Sequence, residues 1–272
     1  MSPSWHKRLR IALSPHQVAM VRFSRGLKPH GTYGDWRPSG ETPAQPNWGG
    51  AIDTLRAMLA DQASAKSSAT VILSNHFVRY LVLSWSDELV TEAEKAEYAR
   101  ARFVEVFGEA ARDWVIRTSS EGTGVRRLAA AADLALIGAL TRTLEASGVK
   151  FTSCQPALMA QFNGARARIG KDAWLVSAER TRLSIARIRE GQWYSVRTRP
   201  LSGAPVALHE LLDQERLLVP AGASGDKIFL SAVDDIAIDT AGLRLERLVA
   251  RRNGRLAPDV DAGLALAMAG VR

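Results

Sequence analysis

A metal centre or a phosphate loop would show itself by spacing, and this sequence carries neither pattern. The five histidines (His6, His16, His30, His76, His209) include no H-x-x-x-H or H-E-x-x-H pair that would place two imidazoles on one helix face. No G-x-x-x-x-G-K-[ST] loop and no G-x-S-x-G elbow occurs, and Gly122 and Gly124 stand between two β-rich runs rather than ahead of a helix. The single cysteine, Cys154, excludes an intrachain disulfide and Cys-rich zinc sites, and reads as a small buried hydrophobe. Acidic residues fall where helix and strand ends want charge: Glu92, Glu94 and Glu97 early in a helix, Asp234-Asp235 after a strand. Seven tryptophans are spread singly, without the lysine interleaving of a base-stacking platform.

The basic residues are grouped. Lys7, Arg8 and Arg10 open the chain, Arg166, Arg168 and Lys171 lie in its middle, and Arg244, Arg247, Arg251, Arg252 and Arg255 crowd its end. With a net charge of +8, the last group is a candidate surface for an anionic membrane or an acidic protein partner. No signal peptide is visible, and the longest apolar region, Leu128 to Leu140, is interrupted by Asp133 and too short to span a bilayer. A cytoplasmic protein is expected.

The elements that would position these residues begin with a repeat. Arg10 to Gly26 (RIALSPHQVAMVRFSRG) and Asp172 to Gly191 (DAWLVSAERTRLSIARIREG) each run from an apolar stretch to a serine, Ser14 or Ser177. Each then turns over polar residues and resumes in strand-like alternation. The first unit is followed by a loop-rich stretch, residues 27–50, with a short strand near Tyr33 to Trp36. A helix is expected from Trp48 to Ala63, strands over Thr70 to Leu73 and Phe77 to Leu83, and a helix from the Thr91/Glu94 capping box to Phe107. Strands Asp113 to Thr118 and Val125 to Ala131 precede a helix capped by Asp133 and ended at Gly148. Val149 to Thr152 is a strand and Gln155 to Arg168 a helix. After the second unit come a strand over Gln192 to Arg199, a helix over Val206 to Leu218, strands at Lys227 to Val233 and Leu243 to Leu248, and a terminal helix from Val260 to Ala269. Strands alternating with single helices give an α/β class, and the meander begun twice gives two lobes, 1–170 and 171–272.

Two such lobes resemble the actin-like ATPase fold, a duplicated ribonuclease H-like architecture. The finer resemblance is to the PilM and GspL type of platform protein of type IV pilus and type II secretion assemblies, with the related MSHA pilus proteins. It is carried by RIALSPHQVAMVRF, VILSNHFVRYLVLSW, ALTRTLEASGVKFTSCQPALMAQF, AWLVSAERTRLSIARIREG and DAGLALAMAG, which together run across nearly the whole chain. Nucleotide-binding members of that fold carry Asp-x-Gly in both turns. The matching positions are Ala12 and Ser14 in the first unit, Leu175 and Ser177 in the second. An apolar Ala12 or Leu175 cannot serve a hard cation as a carboxylate does, and a side chain replaces each glycine, so the resemblance implies a degenerate site with no cofactor and no catalysis. A ribonuclease H-like nuclease is excluded by the lack of any acidic residue from Arg10 to Phe23.

The resemblance implies a non-catalytic scaffold at the cytoplasmic side of the inner membrane, linking a bitopic membrane protein, through its N-terminal tail, to a cytoplasmic assembly ATPase. GspL-type proteins carry a transmembrane helix after this domain; the chain ends at Gly270-Val271-Arg272 without one, so tail docking is the expected arrangement. Two other readings stand beside it: an actin-like ATPase or phosphotransferase whose turns lie a residue or two away, with Glu179 the nearest acidic candidate, and a basic nucleic-acid-binding module. Nucleic acid is not the expected partner.

Overall fold

The computed structural model describes residues 7–24, 31–40, 48–61, 67–119, 122–201, 205–217, 227–232, 236–248 and 261–269. Its first sheet grows from the opening hairpin. Strands β1 (Lys7–Leu13) and β2 (Gln17–Phe23) pair antiparallel, and β3 (Gly31–Pro38) adds to β2. After helix α1 (Gly49–Ala60) the chain returns as β4 (Ser67–Leu73), parallel to β1. The expected short strand near Tyr33 is therefore eight residues long, because antiparallel pairing with β2 holds all of it.

A subdomain is inserted before the sheet is completed. Strand β5 (Val78–Leu83), helix α2 (Glu92–Phe107), a short 3-10 turn (Glu109–Asp113), β6 (Trp114–Thr118) and β7 (Arg127–Asp133) form a small antiparallel sheet of order β5-β7-β6 with α2 on one face. Thr91 and Glu94 make the capping box of α2 through both of its hydrogen bonds. Asp133 caps helix α3 (Leu134–Ala146) and also accepts from the Trp48 indole at 3.0 Å, tying α3 to the start of α1. Strand β8 (Val149–Pro156) then completes the first sheet in the order β3-β2-β1-β4-β8. It runs four residues past the expected end at Thr152. Parallel pairing with β4 continues to Leu73 opposite Pro156, and the proline disfavours helical backbone at Gln155.

Helix α4 (Ala157–Ala165) leads to the second sheet, built in the same order and senses as the first. Strands β9 (Ala173–Glu179), β10 (Arg182–Arg189) and β11 (Gln192–Pro200) form an antiparallel meander. β13 (Lys227–Ala232) adds parallel to β9, and β15 (Leu245–Arg247) parallel to β13, giving β11-β10-β9-β13-β15. Helix α5 (Leu208–Leu217) covers one face, while β12 (Val206–Ala207) and β14 (Ile238–Asp239) make a small parallel pair beside it. Buried Glu215 of α5 pairs with Arg197 at 2.9 Å and Arg199 at 2.8 Å, fastening the helix to the edge strand β11. The same strand order twice in one chain is the two-lobed actin-like fold.

The terminal segment does not follow sequence order. Short helix α6 (Asp261–Leu264) and the turns to Ala269 pack on the first sheet, burying Leu264, Leu266 and Met268 against Ala12, Val21, Phe23 and Ile72. The expected helix from Val260 to Ala269 is thus helical only at its start, and it joins the first lobe rather than the second. Arg10 fixes it there: Nε donates to the Ala267 carbonyl at 2.8 Å and Nη2 to that of Ala269, with Gln17 Nε2 donating to Gly263 O at 3.0 Å. Burial pushes the Arg10 guanidinium down to about 10.

Candidate functional site

Three turns meet where the lobes face each other, and hydrogen-bond register identifies their equivalent positions. In the first hairpin the Ser14 N–H donates to the Gln17 carbonyl at 3.0 Å, enclosing Pro15 and His16; in the second, Glu179 pairs with Arg182, enclosing Arg180 and Thr181. Counting back from each turn puts Ser177, not Leu175, level with Ala12, and Glu179 level with Ser14. The sequence match therefore lay two residues short in the second unit. Leu175 sits mid-strand beside Ala186, fully buried in the core, and Ala12 packs in the first sheet between Ala19 and Ile72.

The correction brings a carboxylate to the second turn, and that carboxylate is spoken for. Glu179 is 2% exposed. Its Oε1 accepts from the Asn75 N–H at 2.8 Å, and its Oε2 accepts from the Ser74 hydroxyl. Both donors belong to the third turn, Ser74-Asn75-His76, which follows β4 in the opposite lobe. Because the single Ser74 proton points to Glu179, its Oγ accepts from His76, from N–H at 3.1 Å and from Nδ1–H at 2.9 Å. In the neutral ring, Nε2 is then left to accept from the Thr181 hydroxyl at 2.8 Å, and the His16 Nε2 reaches the same hydroxyl at 3.2 Å. Ser177 accepts from Asn75 Nδ2 at 3.0 Å.

A side-chain carboxylate thus occupies backbone and hydroxyl donors of the kind that would otherwise hold an anion. The arrangement is chemically closed: Glu179 has both oxygens engaged, and Ser74, Asn75, His76 and Ser177 are buried. No cluster of three or more His, Cys, Asp or Glu residues that could hold a metal occurs among the described residues.

Asn75 extends the network beyond the lobe junction. Its Oδ1 accepts from the Tyr80 hydroxyl at 2.6 Å and from the Leu158 N–H at 3.3 Å. Burial, reinforced by the Glu179 charge, holds Tyr80 well above the ordinary tyrosine range, so the phenol remains a donor.

On the far side of Asn75 lies an open groove of about 440 Å³ between the small sheet and the edge of the first sheet. Val115, Arg117 and Leu128 of the small sheet line one side and Phe151 and Cys154 of β8 the other, joined by Ile137 of α3 and Met159 of α4. Among the described residues, β6 and β8 each pair on one side only, so a free strand edge borders the groove on both sides. β8 bulges there: Thr152 steps out of register, and its hydroxyl donates to Ala69 O at 2.7 Å. Burial raises the Cys154 thiol to about 12. No sequence pattern marked this groove, since its walls come from strands that also build two sheets.

The basic surface is only partly resolved into geometry. Arg244 and Arg247 are exposed around β15, whereas Arg251, Arg252 and Arg255 lie outside the described residues. No helix among the described residues is long and apolar enough to cross a membrane.

No family model matches the chain, and no curated protein matches it in sequence. Solved structures do match its fold. The PilM-PilN type IV pilus biogenesis complex superposes with a TM-score of 0.60 at 14% identity, covering 97% of this chain and 98% of that one. The cytoplasmic domain of EpsL, an inner-membrane component of the type II secretion system of Vibrio cholerae, gives 0.56 at 11% identity, covering 96% and 94%. A protein of actin-like ATPase fold from Bacteroides thetaiotaomicron gives 0.56 at 11% identity over 84% and 82%. The fold is that of the platform proteins the sequence resembles.

Proposed function

We propose that the protein is a non-catalytic cytoplasmic scaffold of a type IV pilus or type II secretion-like assembly platform, peripheral to the inner membrane. In this role it receives the N-terminal tail of a bitopic membrane protein and links it to the cytoplasmic assembly ATPase. The observation that carries the reading is the apolar groove bordered by the free edges of β6 and β8. An extended segment lying there can add main-chain hydrogen bonds to either edge while alternate side chains enter the apolar floor. The structural likeness to a PilM-PilN complex supports the same kind of partner. The absence of catalysis rests on the Glu179 network, which fills the lobe junction with the protein's own groups. Arg244 and Arg247 are proposed as a surface for the motor or for anionic lipid, and a lobe boundary near residue 170, between α4 and β9, is proposed with them.

The test is recovery of a bitopic protein from bacterial membranes, followed by Cys154 alkylation with and without a synthetic peptide of its cytoplasmic tail. Protection of Cys154, together with loss of recovery in Ala130→Arg, which fills the groove, is the expected result. Recovery of nucleic acid alone, or a bound tail that leaves Cys154 unprotected, overturns the reading.

A further inference from the structure

Asn75 does not line the groove, yet its bonds reach the elements that form it. Tyr80, which donates to Asn75 Oδ1, belongs to β5 of the small sheet; the Leu158 N–H, which donates to the same oxygen, opens α4 at the other wall. The main-chain donor fixes which side of the amide is oxygen, so Nδ2 necessarily points to Ser177 in the second lobe. The backbone N–H of the same residue holds Glu179. Asn75 is 1% exposed, and residues that flank its partners along the chain, Leu73 and Val78 around the turn and Pro156 and Met159 around Leu158, line the groove. One buried amide therefore joins the first sheet, the small sheet, α4 and the second lobe.

We propose that the lobe junction of this fold acts as a brace for the docking groove, with Asn75 as the positioning residue that sets the spacing of the groove walls according to the seating of the second lobe. The inference rests on the docking reading for its biological meaning, but the geometry it asserts is testable without a partner. Cys154 is the chain's only cysteine and lies in the groove wall, on β8, while Ser177 lies across the lobe junction on the far side of Asn75. A thiol whose ionisation is suppressed by burial alkylates slowly, so loosening of the wall registers directly as a faster rate.

The experiment measures iodoacetamide alkylation of Cys154 at fixed pH in the full chain for wild type, Asn75→Ala, Tyr80→Phe and Ser177→Ala. A core truncation in α5, Leu212→Ala, which belongs to the cluster that α5 makes with the second sheet, serves as a control. Thermal midpoints report the general loss of stability in each. The expected result is a rate increase of about tenfold in Asn75→Ala and Ser177→Ala, the size of leaving one buried partner unsatisfied, a smaller increase in Tyr80→Phe, where Asn75 Oδ1 keeps the Leu158 N–H, and no increase in Leu212→Ala. Unchanged rates in Ser177→Ala overturn the brace, as does an equal increase in Leu212→Ala, which would mean that labelling follows global unfolding. If Asn75→Ala does not fold, Ser177→Ala decides alone, since it removes only the cross-lobe partner. The two readings fail separately. A tail peptide that does not protect wild-type Cys154 defeats docking; protection unaltered in Ser177→Ala, with unaltered labelling, defeats the brace.

Discussion

Replacing Glu179 with alanine removes the one acceptor on which two buried donors of the opposite lobe depend. The Asn75 N–H at 2.8 Å and the Ser74 hydroxyl both lose their partner, in a site where Asn75 is 1% exposed and Ser74 fully buried. An unsatisfied buried donor costs about 1–3 kcal/mol, so two cost about 2–6 kcal/mol. Removing a buried carboxylate recovers part of its desolvation, which places the net loss near the lower half of that range, about 2–4 kcal/mol. Glu179→Gln keeps one acceptor oxygen for Asn75 and should lose less than half as much. Urea unfolding followed by tryptophan fluorescence reads the change, with the midpoint moving and the slope constant if the lobes still unfold together. A double-mutant cycle with Ser74→Ala isolates the cross-lobe bond, whose coupling should be about 1 kcal/mol or more. A loss below about 0.5 kcal/mol for Glu179→Ala would refute the argument, because surface carboxylates behave that way and a lobe-joining one does not.

Three further outcomes are expected. Magnesium-ATP or ADP in millimolar excess should leave the thermal midpoint unchanged; binding at about 100-fold over its Kd would add near 2.7 kcal/mol and would return the ATPase reading to the lead. Cys154 alkylation should be slow at pH 8 and accelerate about tenfold per pH unit well past 9, because a thiol raised to about 12 is neutral below that value and gains thiolate only as pH climbs towards it; a plateau near pH 9 would show an open thiol. Gly263→Ala should displace the half-exposed Trp36 ring, since a Cβ there would stand 2.5 Å from it, and so change the tryptophan emission of the folded protein; an unchanged spectrum would mean that Gly263 is not seated against Trp36.

Local chemistry made most of the elements legible. Alternation marked both opening hairpins, Thr91 and Glu94 marked the start of α2, and Asp133 marked that of α3, because each signal acts within a few residues. The second turn was misplaced by two residues for the opposite reason. In AWLVSAERT the serine resembles Ser14, but the strand runs on through Ala178 to Glu179, and a carboxylate can be buried there only because donors 104 and 105 residues away receive it. The groove was unreadable on similar grounds, since Val115 and Cys154 carry no pattern until two sheet edges are set side by side. Residues 27–50 looked like loop because of their prolines and glycines, yet pairing with β2 outweighed that composition in β3.

The seating of Leu264 to Ala269 on the first sheet has a consequence for how the chain comes to be folded. β1 and β2 leave the ribosome long before the segment that packs on them: Ala12, Val21 and Phe23 lie against residues made more than 240 positions later. Until then this apolar face of the first lobe has, among the described residues, only Ala157 and Ala160 of α4 to cover it, and the Arg10 guanidinium waits for carbonyls 257 and 259 residues downstream. Contacts of such sequence separation form late and slowly. Synthesis of Leu264 to Ala269, rather than of the second sheet, is therefore the step that completes this face of the first lobe, and deleting that segment should leave β1 and β2 the most prone to aggregate.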